Sequence, residues 1–231
     1  MNPAKELKTA IVPPLTAGAE PPWNEVFDAL TALRRILVYH PGAVTSKDLE
    51  KLVPGIVKAI RNSRSVLSKN AIYCAEDLFL KASSELNPNQ KSIDALVFAL
   101  LDSCASNMPK SIRAAAATAL NQAVETGPLK KLSPALASRA SHKNVDVAEN
   151  AMVFCEKALK NLSVQGETQF AKNLDLERIF PGLNFGVNSK SAKGKKAAKG
   201  IACLLSSSLT QVDYEARVSA LPGLTPLQVT I

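Results

Sequence analysis

Residues 61–79 read RNSRSVLSKNAIYCAEDLF. A short polar loop carrying Arg61, Asn62 and Arg64 turns into a helix whose apolar positions are Leu67, Ala71, Ile72, Ala75, Leu78 and Phe79. That spacing keeps the side chains on one side of a 3.6-residue turn, so the helix has one face to bury. The same stripe returns at Ile112, Ala116, Ala117, Leu120, Ala123 and Val124, and again at Val147, Ala151, Met152, Cys155, Ala158 and Leu159. A weaker copy lies at Ala197, Ala198, Ile201, Leu204 and Leu205, and an earlier one at Ala29, Leu30, Leu33, Ile36 and Leu37. The copies recur roughly every 35 to 46 residues, the period of stacked helix pairs.

Between the copies lie partner helices. Trp23 follows Pro21 and Pro22, and because proline suits the first turn of a helix, the element carrying Val26, Leu30, Leu33 and Leu37 starts there and stops near His40. Ser46 reads as an N-cap for the stripe Leu49, Leu52, Val53, Ile56, Val57 and Ile60, with Pro54 placed to bend it. Residues 92–105, 129–140 and 167–183 read as further partner helices, the last broken at Pro181 and followed by a loop over 184–189. The least regular repeat helix spans 191–209, where Gly194 and Gly200 each cost about 1 kcal/mol relative to alanine. The expected fold is all-α, an α-solenoid of about five HEAT-like helix pairs forming a flat paddle. Residues 1–20 are an N-terminal extension with a short helix near 4–12 closed by Pro13 and Pro14, 21–209 the repeat domain, and 210–231 a C-terminal tail with a helical piece near 213–220.

Low aromatic content, 5% of residues, and abundant alanine suit closely packed helices. The net charge of +8 calls for an acidic partner surface: nucleic acid, anionic membrane or acidic protein. Cys74, Cys104, Cys155 and Cys203 have no CxxC spacing and fall at or near apolar helical positions, reading as reduced core thiols. No apolar run approaches the ~20 residues of a membrane span, and no export segment is evident, so an intracellular soluble protein is expected. His40 and His142 lie in different repeats without a nucleophile beside them, and no phosphate-loop, dinucleotide, zincin or paired-cysteine motif occurs. No enzyme, cofactor or metal is expected.

Short loops within the pairs align along one edge of such a solenoid. They carry Trp23, then Arg61, Arg64 and Lys69, then Lys110 and Arg113, then Lys143, then Lys190 and Lys193 with Lys195 and Lys196 beyond. An aromatic anchor followed by a basic ladder suits an acidic protein surface. Trp23 alternatively staples the first helix pair, Arg64 and Arg113 alternatively brace neighbouring repeats, and the lysines alternatively form a solvated face.

With WNEVFDALTALRRILVYHP at 23–41, NSRSVLSKNAIYCAEDLF at 62–79 and SHKN at 141–144, the chain resembles the TOG domain, in the branch of the cytoplasmic-linker-associated proteins and ciliary TOG-array regulators. The resemblance spans roughly residues 21–209. It implies binding of αβ-tubulin or microtubules, Trp23 packing on β-tubulin and Arg64, Lys69, Lys110, Arg113, Lys143, Lys190 and Lys193 reaching acidic surface. It also implies a place in the cytoplasm and cytoskeleton, including cilium or spindle. The sequence departs from the pattern before Pro13 and at Asp146, Ala148 and Glu149, where a basic residue commonly follows the loop. A single TOG-like array lacks the tandem partners of tubulin polymerases, so tethering several tubulins would need oligomerisation or another chain.

Two other readings stand beside this one. A HEAT-type scaffold for a non-tubulin protein would leave the ladder incidental. Nucleic-acid binding would use SKSAKGKKAAKG at 189–200, although aromatics for base stacking are missing.

Overall fold

The computed structural model describes residues 2–18, 21–165 and 170–222. The chain is an all-α solenoid of stacked helix pairs, with no strand among the described residues. It divides into two compact units, Met1–Pro128 and Leu129–Ile231.

The first unit opens with three consecutive helical stretches, Pro3–Glu6, Leu7–Ile11 and Val12–Thr16, together α1. Then come α2 (Trp23–Tyr39), α3 (Ser46–Ile60), α4 (Ser65–Lys81), α5 (Gln90–Ser103) and α6 (Lys110–Thr126). One layer is α1, α3 and α5; the other is α2, α4 and α6, each helix packed on the next in its layer. The stripe that identifies the repeat is buried throughout α4, from Leu67 to Phe79. Asn70, also buried, donates from Nδ2 to the Phe27 carbonyl at 3.1 Å and Thr31 Oγ1 at 3.0 Å, and accepts from Arg34 at 3.2 Å. Arg34 also pairs with Asp77 at 2.7 Å, so a polar clamp joins α2 to α4. Buried polar groups of this kind are tolerated because each finds partners.

The second unit contains α7 (Leu129–Ala137), α8 (Val145–Val164), a 3-10 turn at Phe170–Asn173, α9 (Leu176–Val187), α10 (Ala192–Ser208) and α11 (Gln211–Ser219). Here α7 packs on α9 and α8 on α10. Phe180 meets Tyr214 with ring centroids 6.0 Å apart, and Arg217 pairs with Glu177 at 2.9 Å, holding α11 to α9.

Several boundaries differ from the sequence reading. The first helix continues through Pro13 and Pro14 to Thr16, because Leu7–Ile11 is a π segment and the Val12 N–H reaches back to the Leu7 carbonyl. The register shift places both prolines in the first turn of Val12–Thr16, where a missing N–H costs nothing. The N-cap of α3 is Thr45, whose side chain accepts from the Asp48 N–H while the Asp48 carboxylate accepts from the Thr45 N–H; Ser46 is already helical. Pro181 does not break α9, which runs from Leu176 to Val187 across part of the expected loop. The start of the helix expected at 167 and the end of the tail lie outside the described residues.

Two of the in-helix prolines are followed by glycines that do a separate job. Pro54-Gly55 in α3 and Pro181-Gly182 in α9 occupy the middles of equivalent helices. A β-carbon at Gly55 would collide with the Leu15 carbonyl of α1, and one at Gly182 with the Ala137 carbonyl of α7. In each unit the glycine lets the preceding helix of that layer approach to backbone contact. Gly200 in α10 faces only the end of the flexible Glu156 side chain, so no backbone contact there calls for a glycine.

Candidate functional site

Trp23 is the first residue of α2, set by Pro22, whose extended backbone caps the helix without a side-chain bond. The residue is 45% exposed. Arg64, the N-cap of α4, is fixed by the preceding turn, where its N–H donates to Asn62 Oδ1 at 2.9 Å. That turn carries the Arg64 guanidinium over the indole, 5.4 Å from its centroid. The structure therefore brings together two residues that lie one repeat apart in sequence, in a cation–π contact worth about 0.5–1 kcal/mol at an exposed site.

Beneath them is a recess of about 350 Å³. Leu15 of α1, Val26 of α2 and Leu67 of α4 supply its apolar wall, and Lys58 of α3 and Arg64 its positive rim. The space is large enough for a side chain of a docked protein. The sequence reading missed Leu15 and Lys58, since the helix carrying Leu15 was expected to end before it. The exposed Val66, 64% accessible beside Arg64, was also missed; its only signal was a large apolar residue off the buried stripe.

The remaining basic residues differ in how free they are. Arg61 pairs with Asp102 of α5 at 3.4 Å, a brace between consecutive helices of one layer. Lys69 lies 5.8 Å from the centroid of Tyr73, whose ring also faces Arg34 at 5.2 Å. Lys110 is exposed at the first position of α6, while Arg113 is half-buried with its Nε lacking a hydrogen-bond partner. In the second unit Lys143 is exposed in a loop ordered by His142, whose Nδ1 accepts from the Asn144 N–H at 3.2 Å. Asn144 in turn caps α8 by accepting from the Asp146 N–H at 2.9 Å. Lys190 is exposed, but Lys193 pairs with Glu149 at 3.7 Å, and Glu149 also accepts from the Ser191 hydroxyl.

Of the four thiols expected in the core, Cys74 and Cys155 are buried, Cys104 is half-buried and Cys203 is exposed on α10; the first three are chemically quiet. Burial pushes Cys104 up to about 12, burial with the nearby Glu156 charge pushes Cys155 up to about 12, and Cys74 is raised further by the same desolvation. Among the described residues no group of three or more His, Cys, Asp and Glu is placed to hold a metal ion. No helix among them is long and apolar enough to cross a membrane.

No known family profile matches the sequence, and no curated protein matches it. Solved structures do. The MAST/Orbit N-terminal domain aligns at a TM-score of 0.56 and 14% identity, over 90% of this chain and 87% of that one. A structure from crescerin, described as using a TOG domain array to regulate microtubules in the primary cilium, aligns at 0.56 and 15%, over 97% and 93%. The CEP104 TOG domain aligns at 0.56 and 15%, over 97% and 88%. The chain has the fold of TOG domains, as the sequence resemblance leads one to expect.

Proposed function

We propose that this chain is a non-enzymatic module that binds αβ-tubulin or microtubules through the loops at Trp23 and Arg64, and acts in the regulation of microtubule dynamics or organisation. The observation that carries the reading is the half-exposed tryptophan in contact with an arginine at a recess of mixed polar and apolar lining with a basic rim, on a fold shared with TOG domains. Exposed tryptophan and arginine are the residue types most enriched at interface hot spots. Lys69, Lys110 and Arg113 extend the contact in the first unit, and Lys143 and Lys190 supply it in the second. Arg61 and Lys193 contribute less, because each already meets a carboxylate, Asp102 and Glu149, in a surface ion pair. The reading places the protein in the cytoplasm on the cytoskeleton, with cilium or spindle as its sites.

The test is size-exclusion chromatography with unpolymerised αβ-tubulin at low and moderate salt, alongside microtubule co-sedimentation. Complex formation that weakens with salt and is lost in Trp23→Ala supports the reading. Failure of the wild-type chain in both assays overturns it in favour of a scaffold for another protein.

A further inference from the structure

We propose that the exposed face of α10 bearing Lys195, Lys196 and Lys199 is a second docking surface, which takes an acidic, extended polypeptide segment of a partner protein. At 100° per residue, Ala192, Lys195, Lys196, Lys199 and Cys203 fall within an arc of about 100°. All five are exposed, while Ala197, Ala198, Ile201 and Leu205 bury the opposite side. Lys195 and Lys196 stand four and three residues from Lys199, the spacings at which helical side chains are neighbours. Among the described residues none of the three has a carboxylate partner, whereas Lys160 is held by Glu156 and Lys193 by Glu149.

The arrangement works against the helix that carries it. Like charges at these spacings repel, and Lys195 and Lys196 lie near the N-terminal end of α10, where the backbone dipole disfavours cations. Solubility alone would be served by lysines at the other end. A face that breaks local helix rules without an internal partner is explained by an external one.

The chemistry of the occupant follows from what the face lacks. Residues 192–207 contain no arginine to fork onto phosphate and no aromatic side chain to stack on bases. On the α8 side Glu149 meets Lys193 and the Glu156 side chain lies against Gly200, so the positive stripe is narrow. Alternate side chains of an extended strand are spaced by about 6.6–6.8 Å, close to the rise of about 6 Å between Lys195 and Lys199. Carboxylates on alternate residues of one strand therefore reach Lys195 and Lys199, with Lys196 beside them.

The experiment is fluorescence anisotropy of a labelled peptide with glutamate at alternate positions, titrated with the full chain at low salt and beside a labelled DNA duplex. Lys195→Gln/Lys196→Gln/Lys199→Gln is expected to weaken peptide binding by about tenfold, with helicity by circular dichroism retained. Lys190→Gln and Trp23→Ala are expected to bind the peptide within about twofold of wild type, which separates this surface from the Trp23 loop. If the triple variant loses helicity, the single variant Lys196→Gln, expected at about a twofold loss, decides. No peptide binding by the wild type, tighter binding of the duplex, or an unchanged variant overturns the proposal.

Discussion

The Arg64 guanidinium lies 5.4 Å from the centroid of the Trp23 indole, joining the start of α4 to the start of α2 beside a recess that both residues line. Because Trp23 is half exposed at a helix N-terminus, its removal leaves the core intact. Trp23→Ala is expected to weaken tubulin binding by about 2 kcal/mol, roughly 30-fold, with the melting temperature changed little. Arg64→Ala is expected to lose less, and in the Trp23→Ala background less again, since part of its effect is to hold the ring. A double-mutant cycle by anisotropy or calorimetry measures that coupling.

The two Pro-Gly pairs give a stability test. Gly55→Ala gains helix propensity of about 1 kcal/mol, but the new methyl must displace the Leu15 backbone, and the clash wins. A net loss of about 2 kcal/mol is expected, a fall of roughly 4–8 °C in Tm for a chain of this size. Gly182→Ala is expected to behave alike through Ala137. Gly42→Ala, with nothing within 4 Å, is the control and stays near wild type.

The clamp between α2 and α4 is testable by its non-additivity. Arg34 meets Asp77 and Asn70, and both it and Asp77 keep some solvent exposure, so the ion pair is worth about 1 kcal/mol and not several. Asp77→Asn is expected to cost that amount. Asn70→Ala costs more, about 2 kcal/mol, because it takes with it the bonds to Phe27 and Thr31. Urea unfolding of the two single variants and the double variant checks both values.

Two desolvated thiols set an alkaline limit. Cys104 and Cys155 ionise near 9 when unfolded and only near 12 when folded, so between those values the unfolded chain binds fewer protons and stability falls as pH rises. Their full contribution is present below pH 9. The expected slope is up to about 1.4 kcal/mol per pH unit for each thiol. Urea midpoints at pH 8 and pH 10 measure it, and Cys155→Ala is expected to flatten the slope.

The stripes from Ala29 to Leu37, Leu67 to Phe79, Ile112 to Val124 and Val147 to Leu159 are buried where the sequence placed them, apart from the half-buried Ala117. Hydrophobic periodicity is local, repeated within each turn, and therefore readable without a partner. The sequence by itself determined the helix-pair repeat, the short loops within the pairs and the residue types those loops present. What each basic residue does was decided by tertiary structure. Arg61 meets Asp102, Arg34 meets Asp77 and Lys193 meets Glu149, each across about one repeat. Stacking brings such residues side by side, and only then is one cation neutralised and another left free for a partner. The recess under Trp23 has the same origin: Leu15, Val26, Lys58 and Leu67 come from four helices, and no stretch of sequence contains the space between them.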